Sequence, residues 1–510
     1  MAPLLHLLVV IVSLETIHAA RILGMFPMWG KSHHNFLQPV MKTLAAAGHE
    51  VVMYSPFPLD KPPPNYTDVF LENIKPNSKE MQEFFLEITD FPEWKCTDSH
   101  WLLHRLMYNE FIEDPKIQEL LTGKEKFDLI FVEITVQEHA LIMAEIFKAP
   151  VISLQAFFLN NIVKSISGNV LELAYIPDVC LSLSNRMTFQ ERLFNSFSSL
   201  RGLYYHYYYQ LPSLETMMRK RFPDLPPITE MVKNISLHFI NDHMTADYAQ
   251  PRAPNVIGVA GIHIQPTKPL PKEIQKFMDE APAGVIFFSL GTYVDDDIKP
   301  KVYFDMYNNI FKRLKERVIW KTRKSNIEGL PANVLTLKWA PQPDILAHPN
   351  CVLFITHGGL LSQHEAVHFG VPVVGIPQFY DQHRNVRFYE ERGIGVKVAI
   401  NDISEKTMFT AIRKVLDNPS YRDNMKRLSA VFRDRPMSPA ESVVFWTEYV
   451  LRHGGAPHLR PASTELRWYQ LILLDVALVV FMIPSLFIIS LILFYKRYMK
   501  KSVSKIKKEN

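Results

Sequence analysis

Cysteine is scarce in this chain: Cys96, Cys180 and Cys351 are the only three among 510 residues. Thiols so few and so scattered exclude a disulfide framework or a cysteine metal site, and no structural metal is expected. Charge of one sign is also scarce. The formal balance is only +4, and much of the basic excess sits in residues 496–510. The body therefore lacks a nucleic-acid footprint, and no nucleic-acid partner is expected. The first twenty residues contain no Lys or Arg. An apolar run from Leu4 to Leu14, followed by the small residues Ala19 and Ala20, nevertheless reads as a secretory signal over residues 1–20. What the chain has in quantity is hydrophobic residues, 47% of the total, and length enough for two large domains or one with appendages.

Past the signal there is one good spanning run. Leu471 to Tyr495 is apolar, with Asp475 near its start and Pro484 inside. At about 1.5 Å per residue it can cross a hydrocarbon core of roughly 30 Å as a helix. Lys496, Arg497, Lys500, Lys501, Lys505, Lys507 and Lys508 follow it. Positive charge stays on the cytosolic side, so residues 496–510 are expected in the cytosol and everything before the span in a lumen, a single-pass type I arrangement. The ending Lys507-Lys508-Glu509-Asn510 resembles a dilysine retrieval signal, which would hold the chain in the endoplasmic reticulum membrane. Asn65-Tyr66-Thr67 and Asn234-Ile235-Ser236 are glycosylation acceptors on the lumenal side.

Arg21 to Met28 is a strand pattern. A polar loop from Gly30 to Asn35, a helical pattern to Ala47 and a second strand, Glu50 to Tyr54, follow it. This is the repeating unit of a parallel sheet. Phe127 to Val132 and Val151 to Leu154 extend it, so residues 21–250 read as one doubly wound domain. The aromatic stretch between Met187 and Phe222 is helical; it either packs on the domain and lines an apolar pocket or docks on a bilayer. Residues 251–271 are proline-dotted and read as a linker. A second set of alternating elements fills residues 272–455, and a juxtamembrane segment covers 456–470. The expected fold class is α/β, two facing doubly wound Rossmann-like domains plus one C-terminal transmembrane helix.

The chemistry concentrates between Trp339 and Gln382. Trp339-Ala340-Pro341-Gln342 comes first, then Phe354-Ile355-Thr356-His357-Gly358-Gly359, then Ser362 with Glu365, and finally Pro377 with Asp381-Gln382. A strand ending near Thr356, a glycine turn and a helix starting near Leu361 let backbone N–H groups approach an anion. This spaced set resembles the signature of the UDP-glycosyltransferases, close to the membrane-bound insect and vertebrate members that conjugate small lipophilic molecules. The resemblance extends through Phe26 to Phe36, Met187-Thr188-Phe189 and the tail, nearly the whole chain.

That resemblance implies the two-domain GT-B fold, with acceptor on the N-terminal side and UDP-sugar on the C-terminal side. It implies that Trp339 stacks on uracil and that Gln342 lies near the ribose, with Glu365 accepting from ribose hydroxyls. His357, Gly359 and Ser362 would hold the diphosphate, Gly291 and Thr292 would lie close to it, and Asp381 and Gln382 would bind sugar hydroxyls. His33 falls on the family's catalytic histidine, with His34 as its competitor. The aspartate that usually orients this histidine is here Glu133, one methylene longer; Glu138 is an alternative. Asp295-Asp296-Asp297 mimics a metal-binding acidic pattern, but the resemblance implies metal-independent catalysis with no cofactor beyond the UDP-sugar co-substrate. The activity implied is inverting transfer of a sugar to a hydroxyl of a small lipophilic acceptor, giving a β-glycoside. UDP-glucose is favoured as donor by the insect-like run from His357 to Ser362. UDP-glucuronate as donor, or binding of lipophilic ligands without turnover, is the alternative, and a homo- or hetero-oligomer is left open.

Overall fold

The strand segments are apolar at successive positions, as strands covered on both faces must be. The computed structural model describes residues 19–509 apart from 77, 90, 96, 135, 292–299 and 325. In it β1 (Arg21–Met25), β2 (Glu50–Ser55), β3 (Tyr66–Phe70), β4 (Leu129–Glu133), β5 (Val151–Gln155), β6 (Leu237–Ile240) and β7 (Val256–Gly258) form one sheet, ordered β3-β2-β1-β4-β5-β6-β7. β8 (Val285–Ser289), β9 (Arg317–Lys321), β10 (Val334–Leu337), β11 (Cys351–Thr356), β12 (Val373–Gly375) and β13 (Gly395–Lys397) form a second, ordered β10-β9-β8-β11-β12-β13. Every strand pairing in both sheets is parallel.

Alternate residues feed opposite sides of each sheet. Leu23, Met25, Ile130 and Val132 enter one core cluster, whereas Ile22, Leu129 and Phe131 enter another. In the second sheet Phe287 and Phe354 lie on one side and Phe288, Trp320 and Ile355 on the other. Strand order reverses direction between β1 and β4 and again between β8 and β11. Crevices at the carboxyl ends of such strand pairs are where open α/β sheets bind ligands.

Two stretches differ from the sequence reading. The proline-dotted segment 251–271 contains β7, an edge strand of three residues, too short to display a period. The helix Pro439–Arg452 returns to the first sheet's side, where Val443 and Val450 join the cluster of Ile22, Phe36 and Val40. Cys180 is disulfide-bonded and Cys351 is a buried free thiol; separation along the chain conceals such a cross-link because folding decides which thiols meet. Residues 1–18 of the expected signal lie outside the described residues.

Residues 19–460 belong to one compact unit and 461–509 to another. In the latter, the short helix Trp468–Leu471 breaks before a single helix, Leu474–Glu509. Leu473 adopts a left-handed φ of 54° at the break, so the spanning helix begins three residues later than the apolar run itself. Leu474–Lys501 is long and apolar enough to cross a membrane.

Between the two sheet-bearing halves, the guanidinium of Arg384 is buried. It pairs with Asp247 at 2.6 Å and lies 3.8 Å from the centre of the Phe158 ring. Removing one partner strands a charge away from water, at a cost of about 3–5 kcal/mol, whereas replacing both by apolar residues is far milder. Asp247→Ala should therefore lower the melting temperature, and adding Arg384→Met should recover much of the loss. Scanning calorimetry of the three variants beside wild type checks this; equal melting of Asp247→Ala and wild type would refute it.

Candidate active site

Both switch points open on one cavity of about 500 Å³. From the first sheet, the loop after β1 leads into the helix Lys31–Ala46, which carries His33 in its first turn, and Glu133 is the last residue of β4. From the second, Gly291 follows β8, and His357, Gly359, Ser362 and Glu365 follow β11. Trp339 and Gln342 come after β10, and Asp381 and Gln382 after β12. All eleven line the cavity, whereas Thr292 lies outside the described residues, as do Asp295, Asp296 and Asp297.

His33 Nδ1 stands 2.6 Å from Glu133 Oε1. A carboxylate only accepts, so the proton of the neutral ring sits on Nδ1 and the Nε2 lone pair is available. Glu133 is almost wholly buried. Its Oε2 accepts from Gln137 Nε2 at 2.8 Å, and its Oε1 is 3.4 Å from the Ala156 N–H. The longer side chain thus reaches the imidazole with its head held from two sides. His34 is placed differently: its Nε2–H donates to the Met28 carbonyl at 2.9 Å, it does not line the cavity, and burial pushes its pKa down to about 3. Glu138 is also away from the cavity, paired with His104 at 3.1 Å.

On the opposite wall, glycine is required where His357 sits. Gly291 has φ +87°, and a Cβ there would fall 2.7 Å from His357 Cε1; a Cβ on Gly359 would fall 2.5 Å from Nε2. Only two missing side chains make room for the ring between the ends of β8 and β11. Burial, then the nearby Lys321, lowers the His357 pKa to about 4, so the ring is neutral near pH 7. Its buried Nδ1 has no hydrogen-bond partner among the described residues. Directly after Gly359, the helix Leu360–Phe369 begins and presents its first-turn N–H groups.

Gln342 Nε2 donates to Ser362 Oγ at 2.9 Å and to Glu365 Oε2 at 2.6 Å. Burial raises the Glu365 pKa to about 7 against that hydrogen bond. Trp339 is 67% exposed, with Lys321 Nζ 5.3 Å from the centre of its ring. Asp381 accepts from Asn385 Nδ2 at 2.8 Å and is pushed by burial to about 6. Gln382 commits Oε1 to the Gln378 N–H at 2.9 Å, leaving Nε2 as the group that could serve a ligand.

A family model described as "UDP-glucoronosyl and UDP-glucosyl transferase" matches residues 30–509. The chain belongs to that family. It is 38% identical to UDP-glucosyltransferase 2 of Dactylopius coccus over 91% of this chain and 90% of the relative. It is 30% identical to UDP-glucuronosyltransferase 2A3 of Mus musculus over 92% of each. The fold matches the calicheamicin glycosyltransferase CalG4 with a TM-score of 0.59 at 17% identity, over 85% of this chain and 99% of that one. A UDP-glucosyltransferase from Polygonum tinctorium matches with a TM-score of 0.56 at 14% identity, covering 86% and 99%. The protein is a UDP-glycosyltransferase of GT-B fold.

Three residues of the transferase site escape sequence reasoning. Gln137 sits on a short turn with no motif around it. Phe157 lies edge-on to His33 at 5.1 Å between ring centres, and Tyr380, in a left-handed conformation with φ 54°, meets Phe157 at 4.7 Å. Of these only Tyr380, adjoining Asp381, had a neighbouring signal. Asn65 and Asn234, the expected glycosylation acceptors, are both exposed.

Gln137 reaches the cavity only through Glu133, so it is a positioning residue. Gln137→Leu should lower turnover by about tenfold or more, since small misplacements of a reacting pair are costly, with little change in donor KM. In a His33→Ala background the same substitution should add nothing. Initial rates of UDP release measure both, and additive losses would contradict the coupling.

Proposed function

We propose that the transferase moves glucose from UDP-glucose to a hydroxyl of a small lipophilic acceptor with inversion, and that His33 is its general base. The observation that carries this reading is the His33–Glu133 pair, 2.6 Å apart, facing the same cavity as the loops after β8, β10, β11 and β12. His33 Nε2 takes the acceptor's hydroxyl proton while that oxygen attacks the anomeric carbon. The bond from that carbon to the diphosphate oxygen breaks, and its electron pair leaves with UDP. Attack and departure on opposite faces turn an α-linked donor into a β-glycoside. Glu133 stabilises the imidazolium that forms, by charge and hydrogen bond.

On the donor side, Trp339 stacks on uracil, Gln342 and Glu365 meet the ribose, and Asp381 and Gln382 meet the sugar. His357, the Gly359 turn and Ser362 receive the diphosphate, with Gly291 alongside. A neutral His357 serves there as a hydrogen-bond donor, and the helix N-terminus supplies the positive field. Transfer without a divalent metal follows from this assignment. Greater identity to the insect glucosyltransferase than to the mouse glucuronosyltransferase supports glucose. The signal-like start, the apolar helix and the basic dilysine tail support a lumenal body anchored in the endoplasmic reticulum membrane, and a disulfide at Cys180 suits an oxidising lumen.

The test is UDP release from purified protein given UDP-glucose or UDP-glucuronate with mixed phenols and sterols, for wild type and His33→Ala, with and without EDTA. Release that requires acceptor, prefers UDP-glucose, survives EDTA and vanishes in the variant is expected. Preference for UDP-glucuronate would overturn the sugar assignment, and UDP binding without release would favour a non-catalytic binder.

Glu365 also gives a pH dependence. With its pKa raised to about 7, the carboxylate that accepts ribose hydroxyls is ionised only above that value. Titration calorimetry should show UDP affinity rising between about pH 6 and 8, more steeply in wild type than in Glu365→Gln. The phosphate's own titration is common to both proteins, so parallel slopes would count against the assignment.

A further inference from the structure

One side chain of the segment that joins the two halves reaches the cavity. After β7 that segment is pinned along its length. The Val259 N–H donates to the Ile240 carbonyl at 2.9 Å, Arg435 Nη1 to the Ala260 carbonyl at 2.7 Å, and the Lys268 N–H to Asp344 Oδ1 at 2.7 Å. Between these points the Ile264 N–H closes a turn on the Gly261 carbonyl at 2.9 Å, and Gly261 takes φ +88°, a value that L side chains rarely adopt. His263 lies within this turn. Its side chain is only 5% exposed, and it lines the same cavity as Trp339, Gln342 and Glu365.

His263 Nε2 stands 3.3 Å from the Leu361 carbonyl and 3.6 Å from Glu365 Oε1. A carbonyl only accepts, so the ring carries its proton on Nε2, and burial, which lowers the pKa to about 4, keeps the ring neutral. Glu365 is therefore flanked by donors from two parts of the chain: Gln342 Nε2 at 2.6 Å from Oε2, and the His263 N–H on the side of Oε1. The terminal torsion of a glutamate is broad, so one hydrogen bond leaves the carboxylate free to turn about it and a second donor fixes its plane. A separation of 3.6 Å is long for a hydrogen bond, but an ionised acceptor draws its donors in, and contacts at reacting sites tighten when substrate binds.

We propose that His263 is a positioning residue of the nucleotide site: its Nε2–H holds the Glu365 carboxylate in the plane in which it receives the ribose hydroxyls. The inference rests on the assignment of Glu365 to the ribose made above. Asp344, which takes the Lys268 N–H, belongs to the helix Gln342–Ala347, so the joining segment supplies one donor to the carboxylate and braces the helix that supplies the other. Nucleotide affinity is thus set from outside the stretch Trp339 to Gln382 as well as within it.

Titration calorimetry of the full chain in detergent with UDP, at about pH 8 where Glu365 is ionised, compares wild type, His263→Phe, His263→Gln, Glu365→Gln and the double variant His263→Phe with Glu365→Gln. Phenylalanine fills the space of the ring without its donor, and glutamine restores an N–H at the reach of Nε2. His263→Phe should weaken UDP about fivefold, the scale of one hydrogen bond. His263→Gln should recover most of that loss, and His263→Phe should add nothing once residue 365 is glutamine. His263→Leu repeats the comparison without crowding. Initial rates should show the same factor in donor KM, with kcat and acceptor KM within about twofold of wild type. Losing a donor to the charged form raises a carboxyl pKa, so the rise of UDP affinity with pH should begin higher in His263→Phe; Lys321 of β9, which also acts on Glu365, and His364 and His368, which neighbour His263, are the same in every variant. Wild-type affinity in His263→Phe and His263→Leu, with Glu365→Gln weakened, would overturn the proposal and leave the ribose assignment standing. An unweakened Glu365→Gln would remove that assignment and the proposal with it. A loss that glutamine does not restore, or that persists beside Glu365→Gln, would also overturn the proposal, because packing of the ring alone produces it.

Discussion

Parallel strand pairing is the constraint on which the rest of the structure depends. Neighbouring parallel strands must be joined by a crossover over the sheet face, so every strand of a sheet ends at the same edge. At β1/β4 and β8/β11 successive crossovers depart in opposite directions, and a crevice opens between their loops. His33 and Glu133 belong to the first crevice, Gly291 and His357 to the second, and one cavity unites them. Residues 100 positions apart meet at 2.6 Å because two adjacent strands deliver them to one edge.

Burial then governs the charge state of the site. His357 and His34 are kept neutral by their surroundings, while Glu365 and Asp381 are lifted toward neutrality. On the second sheet's wall, Glu365 and Asp381 lifted toward neutrality and the uncharged His357 beside the glycine turn present hydrogen-bonding groups to the cavity. The helix that starts after Gly359 supplies the positive end of a dipole at low desolvation cost.

Between the two halves, Arg384 with Asp247 and the Phe157–Tyr380 contact bring second-sheet residues against first-sheet ones near His33.

Much of this was legible in the chain. Buried parallel strands are written as apolar runs, the turn after β11 as paired glycines, and the spanning helix as a long apolar segment, because each depends on neighbours close in sequence. The signature from Trp339 to Gln382 was readable for the same reason: its spacing is local. What the tertiary structure decided is whatever depends on distant residues meeting. The resemblance had set His33 beside Glu133 with His34 as competitor; how each ring is held, His33 at Glu133 and His34 at the Met28 carbonyl, depends on the surrounding fold. Gln137 has no role until β4 and the following turn bring it to Glu133, and Cys180 shows no cross-link until the chain closes. The aromatic helix Phe189–Tyr205 is a further case: its sequence left two readings open, and folding turned Phe189, Leu193, Phe197, Leu200 and Tyr204 outward because Asn195 and Ser199 found their hydrogen-bond partners inside.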